Sequence, residues 1–402
     1  MIAQAISRRI ARLHEAQTLG MAQRVRDLRA QGKDIVSLLL GEPDFPVPPL
    51  LQEAAIQAIR EGHAPYPPVA GLPPLRETIA HYYHRTYGLP YTAAHVVVSN
   101  GSKQAIFNAL LSLIEPGEEV LVPVPYWVSY LPLIQLAEGR PVLLRTDHTT
   151  DYKITPDQLE AALTPKSRVL ILCSPSNPTG STYTATELAA LGEVLERHPQ
   201  VWVLSDEIYE LLRYEGQHVS PAQVPSLYER TVICNGFSKA FAMPGWRLGY
   251  LIAPKPIAEA ATKVQGQTTA GANIIAQKAA LAGLQSDLQT LIAPMVQAFR
   301  ERRDLIYAYL SQHHPELRPY RPAGAFYFFL DVSAYFGRKT PADSPITSAD
   351  DITEYLLQNG VAVVSGTGFG SERHIRISYA VALTAIQEGL HRMTQALRAL
   401  AL

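Results

Sequence analysis

The feature that most constrains this chain is an alternation of short apolar runs with helical segments between residues 96 and 252. Segments in which apolar residues have helical spacing follow several of these runs. Strand-like and helix-like segments therefore alternate along the chain. Strands that alternate with helices predict a mostly parallel sheet covered on both faces. The apolar runs predicted as strands lie at 96–99, 119–122, 141–144, 168–173, 201–204, 231–234 and 249–252.

A second, smaller unit of the α+β type is predicted beyond a long helical stretch at 284–311. We expect the N-terminal segment, with a helix at 8–30 and a strand at 35–40, to complete this unit. The sequence therefore predicts a large domain at 46–285 and a small domain formed by 1–45 and 286–402. The other elements predicted for the small domain are strands at 325–330, 361–364 and 375–378 and helices at 352–358 and 384–400.

Charge and composition exclude several classes of function. The 402 residues carry a formal net charge of −1, so no basic surplus supports binding to a nucleic-acid backbone. The N-terminus has Arg8, Arg9 and Arg12 but no apolar core of a secretory signal, and no apolar run reaches the roughly 18 residues of a membrane span. We expect a cytoplasmic protein in which Cys173 and Cys234 stay reduced.

The stretch Cys234–Tyr250 contains a single lysine, Lys239, in surroundings poor in charge. A deprotonated lysine amine adds to aldehydes, so Lys239 is a candidate for a Schiff base with pyridoxal phosphate. Ser238 precedes it, and Arg247 is a candidate for holding a phosphate. The alternative is a surface lysine in a loop.

Asp206 ends a strand of buried apolar character. A carboxylate there needs a positive partner, because its burial costs several kcal/mol otherwise. A protonated pyridine nitrogen is one such partner, and an Arg or Lys side chain is the alternative. Tyr209, one helical turn later, could reach a phenolic oxygen on the same ligand.

Further polar residues follow other strand ends. Gly101-Ser102-Lys103 opens a helix, and free N–H groups there suit a phosphate, whereas an ordinary N-cap is the alternative. Asn177 lies in a proline-bounded loop that could also be a plain turn. Trp127 could stack on an aromatic ring or belong to the core.

Arg376 is the single cation in the strand-like run Ile375–Tyr379. A planar guanidinium suits a bidentate contact with a carboxylate, and an outward-facing arginine on an edge strand is the alternative. Two other patterns carry less weight. His81 and His84 lack a nearby third metal ligand, and the glycine-rich run 366–370 lacks a following helix, so we predict no metal site and no dinucleotide site.

Taken together, these residues resemble the class I/II aminotransferases of pyridoxal-phosphate fold type I, and most of all the bacterial and thermophile-type aspartate aminotransferases. The resemblance covers nearly the whole chain and implies an α/β fold, with a mostly parallel seven-stranded sheet in the large domain and a smaller α+β domain. The motifs that carry it are GEPDF, YPPVAGLPPLR, GSKQAIFNAL, PYWVSY, SPSNPTG, SDEIYE, SKAFAMPGWRLGY, GAFY, GVAVVSGTGF and RISYA.

The resemblance implies roles around the cofactor ring. Lys239 is then the Schiff-base lysine and the base that moves the substrate's α-proton. Asp206 pairs with the pyridine nitrogen, Asn177 and Tyr209 bind the ring oxygen, and Trp127 stacks on the ring.

It also implies how the phosphate is held. Tyr66 would reach the phosphate of the other subunit, so the active enzyme would be a homodimer with shared active sites. The residues implied to hold the phosphate within one chain are Gly101, Ser102, Lys103, Ser238 and Arg247.

For the substrate, the resemblance implies a ping-pong exchange between amino acids and 2-oxo acids. Lys103 corresponds to a lysine linked with the distal carboxylate of aspartate, glutamate or prephenate. This favours an aspartate or glutamate/aspartate-prephenate aminotransferase that uses 2-oxoglutarate. The residues implied to hold the α-carboxylate are Gly41, Trp127, Asn177 and Arg376.

Some positions depart from the family pattern. The related enzymes often have a lysine and a serine where this chain has His14 and Ala16, whereas Thr18 matches, and Ser365 often corresponds to a proline. Because the first two positions help to recognise the acidic side chain, two alternatives stay open. One is an aminotransferase for aromatic amino acids or kynurenine, and the other is a β-carbon–sulfur lyase.

Overall fold

A seven-stranded, mostly parallel sheet forms the centre of the larger unit. The computed structural model describes residues 6–11, 13 and 17–401. Within this sheet the strand order is β2-β8-β7-β6-β5-β3-β4. Its strands are β2 (Val96–Ser99), β3 (Glu119–Val124), β4 (Arg140–Arg145), β5 (Ser167–Cys173), β6 (Trp202–Asp206), β7 (Thr231–Gly236) and β8 (Gly249–Ile252).

The sheet agrees with the sequence prediction. Strand β8 runs antiparallel to both of its neighbours, β2 and β7, and the remaining pairs are parallel. The seven-stranded, mostly parallel sheet of fold type I is therefore confirmed. All four residues of β2 and of β8 are buried, as expected when helices cover both faces.

Helices pack on the two faces of this sheet. Side chains of a strand alternate between faces, and Val96 and Val98 accordingly join one apolar cluster while Val97 joins another. The helices are α1 (Arg8–Ala11), α2 (Gln17–Ala30), α3 (Pro49–Arg60), α4 (Pro73–Tyr87), α5 (Ser102–Leu113), α6 (Tyr130–Leu136), α7 (Pro156–Ala162), α8 (Ala185–Glu196), α9 (Lys255–Thr268), α10 (Ile274–Gln285), α11 (Leu288–His313), α12 (Ala349–Gln358) and α13 (Leu383–Arg398).

The smaller unit is built on a three-stranded antiparallel sheet. Strand β12 (His374–Ser378) lies between β9 (Tyr327–Asp331) and β11 (Val364–Ser365). Near the N-terminus, β1 (Val36–Ser37) pairs in parallel with β10 (Val361–Ala362). The N-terminal segment thus pairs with the C-terminal part of the chain, as expected, while the domain boundaries at 45/46 and 285/286 stay predictions.

Four predicted elements differ from the observed ones. The strand predicted at 361–364 is two short strands, β10 and β11, which belong to different sheets. The helix predicted at 284–311 corresponds to α11, which begins after Asp287, whose carboxylate accepts hydrogen bonds from the first backbone N–H groups of α11. The helix predicted at 8–30 is divided between α1 and α2. The strand predicted at 35–40 contracts to the two residues of β1. Helices α7 and α9 were not predicted, nor was any of α10 except its last two residues.

No helix among the residues that the structure describes is long and apolar enough to cross a membrane.

One helix start offers a direct test of local stability. The Thr184 hydroxyl accepts a hydrogen bond of 3.2 Å from the Glu187 N–H, and the Glu187 carboxylate accepts one of 2.8 Å from the Thr184 N–H. Because Thr184→Ala removes this cap of α8, we expect the free energy of unfolding to fall by about 1 kcal/mol. Denaturant titration measures the change. The exposed Glu193→Ala of the same helix is the control, and an equal loss in that variant would contradict the capping role.

Candidate active site

Three adjacent parallel strands end in, or just before, polar residues at one edge of the large sheet. Strand β6 ends at Asp206, β7 ends just before Lys239, and β5 ends just before the loop that contains Asn177. Because β5, β6 and β7 are neighbours in the sheet, their carboxyl ends meet at one crevice. The fold therefore brings together the strand ends that carry these residues, as predicted.

Lys239 lies at this edge of the sheet, in the loop that follows β7. Its Nζ donates a hydrogen bond of 2.5 Å to the carbonyl oxygen of Gly41. Burial, together with the positive charges of Arg376 and Arg247, lowers the pKa of Lys239 to about 8, against the opposing effect of the Glu42 and Asp206 carboxylates. A larger share of the amine is therefore neutral, and nucleophilic, at neutral pH than in an ordinary lysine.

Asp206 is a buried carboxylate, with 4% of its surface exposed. Its Oδ2 accepts a hydrogen bond of 2.7 Å from the Tyr130 hydroxyl, and its Oδ1 accepts one of 3.3 Å from the Ile208 N–H. Burial raises the pKa of Asp206 to about 6, against the opposing effect of these hydrogen bonds. Tyr130 was not predicted as a site residue, although it ends the quoted PYWVSY motif.

Two tyrosine hydroxyls meet beside the backbone of Gly41. The Tyr209 and Tyr327 oxygens lie 2.8 Å apart, and both side chains are buried. Tyr327 also limits the space at Gly41, where an added Cβ would come within 2.6 Å of its hydroxyl oxygen. Glycine at position 41 therefore lets the backbone carbonyl approach Lys239. Tyr327 was missed as a site residue, although the GAFY motif contains it.

Arg376 lies on the central strand of the smaller sheet, not on an edge, and only 3% of its surface is exposed. The alternative of an outward-facing edge residue is therefore wrong. Its Nη1 donates to the Asn177 Oδ1 at 3.1 Å and its Nη2 to the Leu39 carbonyl at 2.7 Å. The guanidinium carbon lies 4.5 Å from the ring centre of Tyr327 and 5.0 Å from that of Phe369.

The Nε atom of Arg376 is buried and has no hydrogen-bond acceptor. Burial also lowers the pKa of this guanidinium, although it stays charged at neutral pH. The described contacts give it no carboxylate partner. A buried arginine in this condition is suited to an anionic ligand.

The start of α5 forms a second place for an anion. Gly101 adopts φ 87° at the N-cap, with no side-chain cap on the helix, so N–H groups of the first turn are available. A Cβ at Gly101 would come within 2.4 Å of the Arg247 Nη2, and one at Gly249 within 2.4 Å of the Ser102 nitrogen. Arg247 donates to the carbonyls of Pro244 and Asn100.

Lys103 and Trp127 lie side by side near this helix start. The Lys103 Nζ is 5.1 Å from the centre of the Trp127 ring, which is half-buried. Desolvation and the nearby charge of Arg247 lower the pKa of Lys103. Ser238 is buried directly before Lys239.

The structure leaves other predicted residues untested. Tyr66 is 95% exposed, so its proposed contact with a second subunit stays a prediction. His14 and Ala16 lie outside the described residues, and the side chain of Thr18 is not described. Ser365 accepts a hydrogen bond from the Thr367 N–H at the start of a short helical turn, at 3.2 Å.

One group of possible metal ligands was not foreseen. In the described part of the chain, the side chains of Glu207, Glu210 and His218 come together in the interior. Two of these side chains already have hydrogen-bond partners. The Glu207 Oε1 accepts hydrogen bonds from the hydroxyls of Ser205 and Ser220, and the Glu207 Oε2 lies 3.0 Å from the His218 Nε2. The group thus has an internal structural role.

Comparison with known proteins identifies the family. The chain matches the model for "Aminotransferase class I and II" over residues 33–393. The chain belongs to this family. It is therefore a pyridoxal-phosphate-dependent transaminase of fold type I, close to the bacterial aspartate aminotransferase group, as the sequence motifs indicated.

Individual relatives cover nearly the full chain. It is 44% identical over 399 residues to the "Bifunctional aspartate aminotransferase and glutamate/aspartate-prephenate aminotransferase" of Petunia hybrida, spanning 98% of this chain and 82% of the relative. It is 43% identical to the "Aspartate/prephenate aminotransferase" of Cereibacter sphaeroides, spanning 96% of this chain and 97% of the relative.

Solved structures agree with these relatives. The aspartate aminotransferase of Rhizobium meliloti superposes with a TM-score of 0.95 at 38% identity, covering 98% of this chain and 99% of that one. The Thermus thermophilus aspartate aminotransferase with maleate gives a TM-score of 0.91, also at 38% identity, covering 97% of this chain and 99% of that one.

The pKa of Lys239 gives a prediction for the aminotransferase freed of bound aldehydes by dialysis against hydroxylamine. A lysine reacts with formaldehyde and cyanoborohydride only when its amine is neutral, so methylation of Lys239 should rise with pH through a midpoint near 8. An unperturbed lysine peptide, with a midpoint near pH ~10.4, is the control. Peptide mass spectrometry follows both, and matching midpoints would contradict the pKa shift.

Proposed function

We propose that this aminotransferase uses pyridoxal 5′-phosphate bound through Lys239 and exchanges amino groups between aspartate or glutamate and 2-oxoglutarate, with prephenate as a further acceptor. The observation that carries the proposal is the partly buried Lys239, whose amine has a pKa near 8, at the same edge of the sheet as the buried guanidinium of Arg376. The names of the relatives from Petunia hybrida and Cereibacter sphaeroides support the choice of substrates.

The residues present fit this cofactor. The uncapped start of α5 and the Arg247 guanidinium, which has only carbonyl partners among its described hydrogen bonds, suit a phosphate. A Cβ at Gly101 would collide with the Arg247 guanidinium and one at Gly249 with the start of α5, so glycine at both positions lets these groups approach each other. Asp206 is buried without a cationic hydrogen-bond partner, so a protonated ring nitrogen is a suitable counter-charge.

The residues proposed to hold the cofactor bind different parts of it. Gly101, Ser102, Lys103, Ser238 and Arg247 hold its phosphate. The ring is held by Trp127, Asn177, Asp206 and Tyr209. When bound, pyridoxal phosphate supplies an aldehyde that accepts an amino group and a ring that takes up electron density.

Protein side chains then move the protons. The Lys239 Nζ, when neutral, removes the proton from the substrate α-carbon, and as an ammonium it returns a proton to the acceptor. Asp206 keeps its charge next to the ring nitrogen and so holds a proton there. Tyr209 is held in place by its hydrogen bond to Tyr327. Little conformational entropy is therefore lost when its hydroxyl binds the ring oxygen.

Recognition of the substrate is proposed to involve both anionic ends. Arg376 binds the α-carboxylate, with Asn177, Trp127 and the Gly41 backbone beside it. Lys103 binds the distal carboxylate, and the 5.1 Å between its Nζ and the centre of the Trp127 ring supports a role beside the other substrate contacts. A cation that is already partly desolvated loses less hydration on binding, and this favours selectivity for acidic substrates.

We further propose a cytoplasmic homodimer in which Tyr66 completes the phosphate site of the partner subunit. The 95% exposure of Tyr66 within one chain supports this role, since a large aromatic side chain is then available for a contact outside it. We keep the domain division at 46–285 against 1–45 with 286–402 as part of the proposal, because it places Arg376 and Lys239 in different domains.

Lys239→Ala tests the proposed reaction centre. Because the variant lacks both the covalent attachment and the proton carrier, turnover should fall by at least about 10³-fold. Borohydride reduction should no longer fix the cofactor to the protein, as mass spectrometry would show. Lys255→Ala, an exposed lysine on α9, is the matched control. Undiminished turnover in Lys239→Ala would overturn the assignment.

Lys103→Met tests the substrate class. If Lys103 pairs with a distal carboxylate, kcat/KM for aspartate and glutamate should fall by about 10- to 100-fold, while that for phenylalanine changes little. Lys166→Met, an exposed lysine, is the control. Equal losses for all donors would argue against this role. A wild-type preference for kynurenine or aromatic donors, or pyruvate release from cystathionine without an acceptor, would favour the alternative activities.

A further inference from the structure

Tyr327 lies where several groups of the candidate active site meet. Its hydroxyl oxygen is 2.8 Å from that of Tyr209, and its ring faces Arg376, with 4.5 Å between the guanidinium carbon and the ring centre. The same hydroxyl fills the space beside Gly41, whose carbonyl accepts the hydrogen bond from Lys239. Only 1% of the Tyr327 surface is exposed, so the packing around this side chain fixes its contacts.

The strand pairing of the smaller sheet explains why Tyr327 and Arg376 are in contact. Tyr327 begins β9 and pairs with Ser378 of β12, and Arg376 lies two residues before Ser378. Residues two apart on a strand share one face of the sheet. Tyr327 and Arg376 are therefore diagonal neighbours, a separation that an aromatic ring and a long side chain can span.

The hydroxyls of Tyr209 and Tyr327 have two hydrogens between them and share one hydrogen bond. Burial raises the pKa of both tyrosines, so each keeps its hydrogen at neutral pH. Among the hydrogen bonds of the described residues, neither hydroxyl has another partner. One of the two hydrogens is therefore left to donate to a ligand.

The proposed role of Tyr209 decides which of the two hydroxyls donates to the other. If Tyr209 gives its hydrogen to the ring oxygen of the cofactor, it can only accept from Tyr327, because a phenol has one hydrogen. Accepting a hydrogen bond polarises a hydroxyl and strengthens the bond that it donates by roughly 10–30%. The Tyr327 hydroxyl therefore acts on the cofactor through Tyr209.

The ring of Tyr327 has a separate effect on Arg376. A guanidinium is attracted to an aromatic face, but the ring removes neither its charge nor its N–H donors. The contact therefore orients Arg376 and leaves it able to bind an anion. A side chain that is already held in place loses less conformational freedom when a carboxylate binds.

We propose that Tyr327 is a positioning residue that serves both sides of the site: its hydroxyl donates to Tyr209, and its ring holds Arg376 in place. This role rests on the proposed function, in which Tyr209 binds the ring oxygen and Arg376 binds the α-carboxylate. The cofactor contact and the carboxylate contact then share one side chain. The alternative is a core tyrosine whose contacts only fill space.

Tyr327→Phe removes the hydroxyl and keeps the ring. A hydrogen bond to the ionised ring oxygen favours that form, so a weaker Tyr209 contact should raise the pKa of this oxygen. The pH titration of the visible absorption of the holoenzyme should shift upward by about 0.2–0.6 units. The loss of activity should appear in kcat rather than in the KM of the preferred amino donor, because Arg376 keeps its aromatic partner.

Tyr327→Leu removes both the hydroxyl and the aromatic face. We expect the same shift of the titration, together with a KM that rises about 3- to 30-fold, as the loss of a cation–π contact predicts. The α-carboxylate is common to all amino donors. The result therefore does not depend on which donor the enzyme prefers.

Tyr355 supplies the matched control. It is a buried tyrosine of α12, and its hydroxyl donates a hydrogen bond of 3.0 Å to the Ala396 carbonyl of α13. Tyr355→Phe and Tyr355→Leu should leave the titration and the KM as in the wild type, even where they lower the melting temperature. Circular dichroism and the melting temperature confirm that each variant is folded.

The outcomes are distinct. A shifted titration in both Tyr327 variants, with a raised KM in Tyr327→Leu alone, supports the proposal. An unshifted titration in Tyr327→Phe, an unchanged KM in Tyr327→Leu or the same rise of KM in both variants would overturn it. Equal changes in the Tyr355 variants would indicate a general loss of packing and would also overturn it. A wild-type chain that binds no pyridoxal phosphate would refute the proposed function itself.

Discussion

The rest of the site depends on one constraint, which is that charged groups are removed from water at the carboxyl edge of the large sheet. Asp206 and Arg376 are buried there and Lys239 is partly buried, and desolvation shifts the pKa of each group in the direction that favours its neutral form. In Lys239 that shift produces a usable nucleophile. In Asp206 and Arg376 it produces groups that gain stability when an oppositely charged ligand arrives.

The surrounding structure holds these charges with few partners of its own. Asp206 has one tyrosine hydroxyl and one backbone N–H, and Arg376 has an amide oxygen, a carbonyl and two aromatic faces. Each contact orients a charge without neutralising it. Preorganised but unneutralised charge is the condition under which a site binds a cofactor and an ionic substrate strongly.

Much of the fold and most of the site could be predicted from the sequence, for identifiable reasons. Strands β2 and β8 were predicted to the residue, because they are short apolar runs bounded by turn residues. Lys239, Asp206 and Arg376 stood out as isolated charges in apolar surroundings. Tyr130 and Tyr327 did not, because tyrosines are common in cores and only the folded chain shows which hydroxyl meets which partner.

The carbonyl groups of Leu39 and Gly41 connect Arg376 and Lys239 to the same piece of backbone. They are two residues apart on one strip of backbone, and one accepts a hydrogen bond from Arg376 while the other accepts one from Lys239. In the proposed reaction, a substrate carboxylate bound by Arg376 would act on the same short piece of backbone that holds the Lys239 amine. Substrate recognition and release of the amine would then share two neighbouring carbonyl groups of the N-terminal segment.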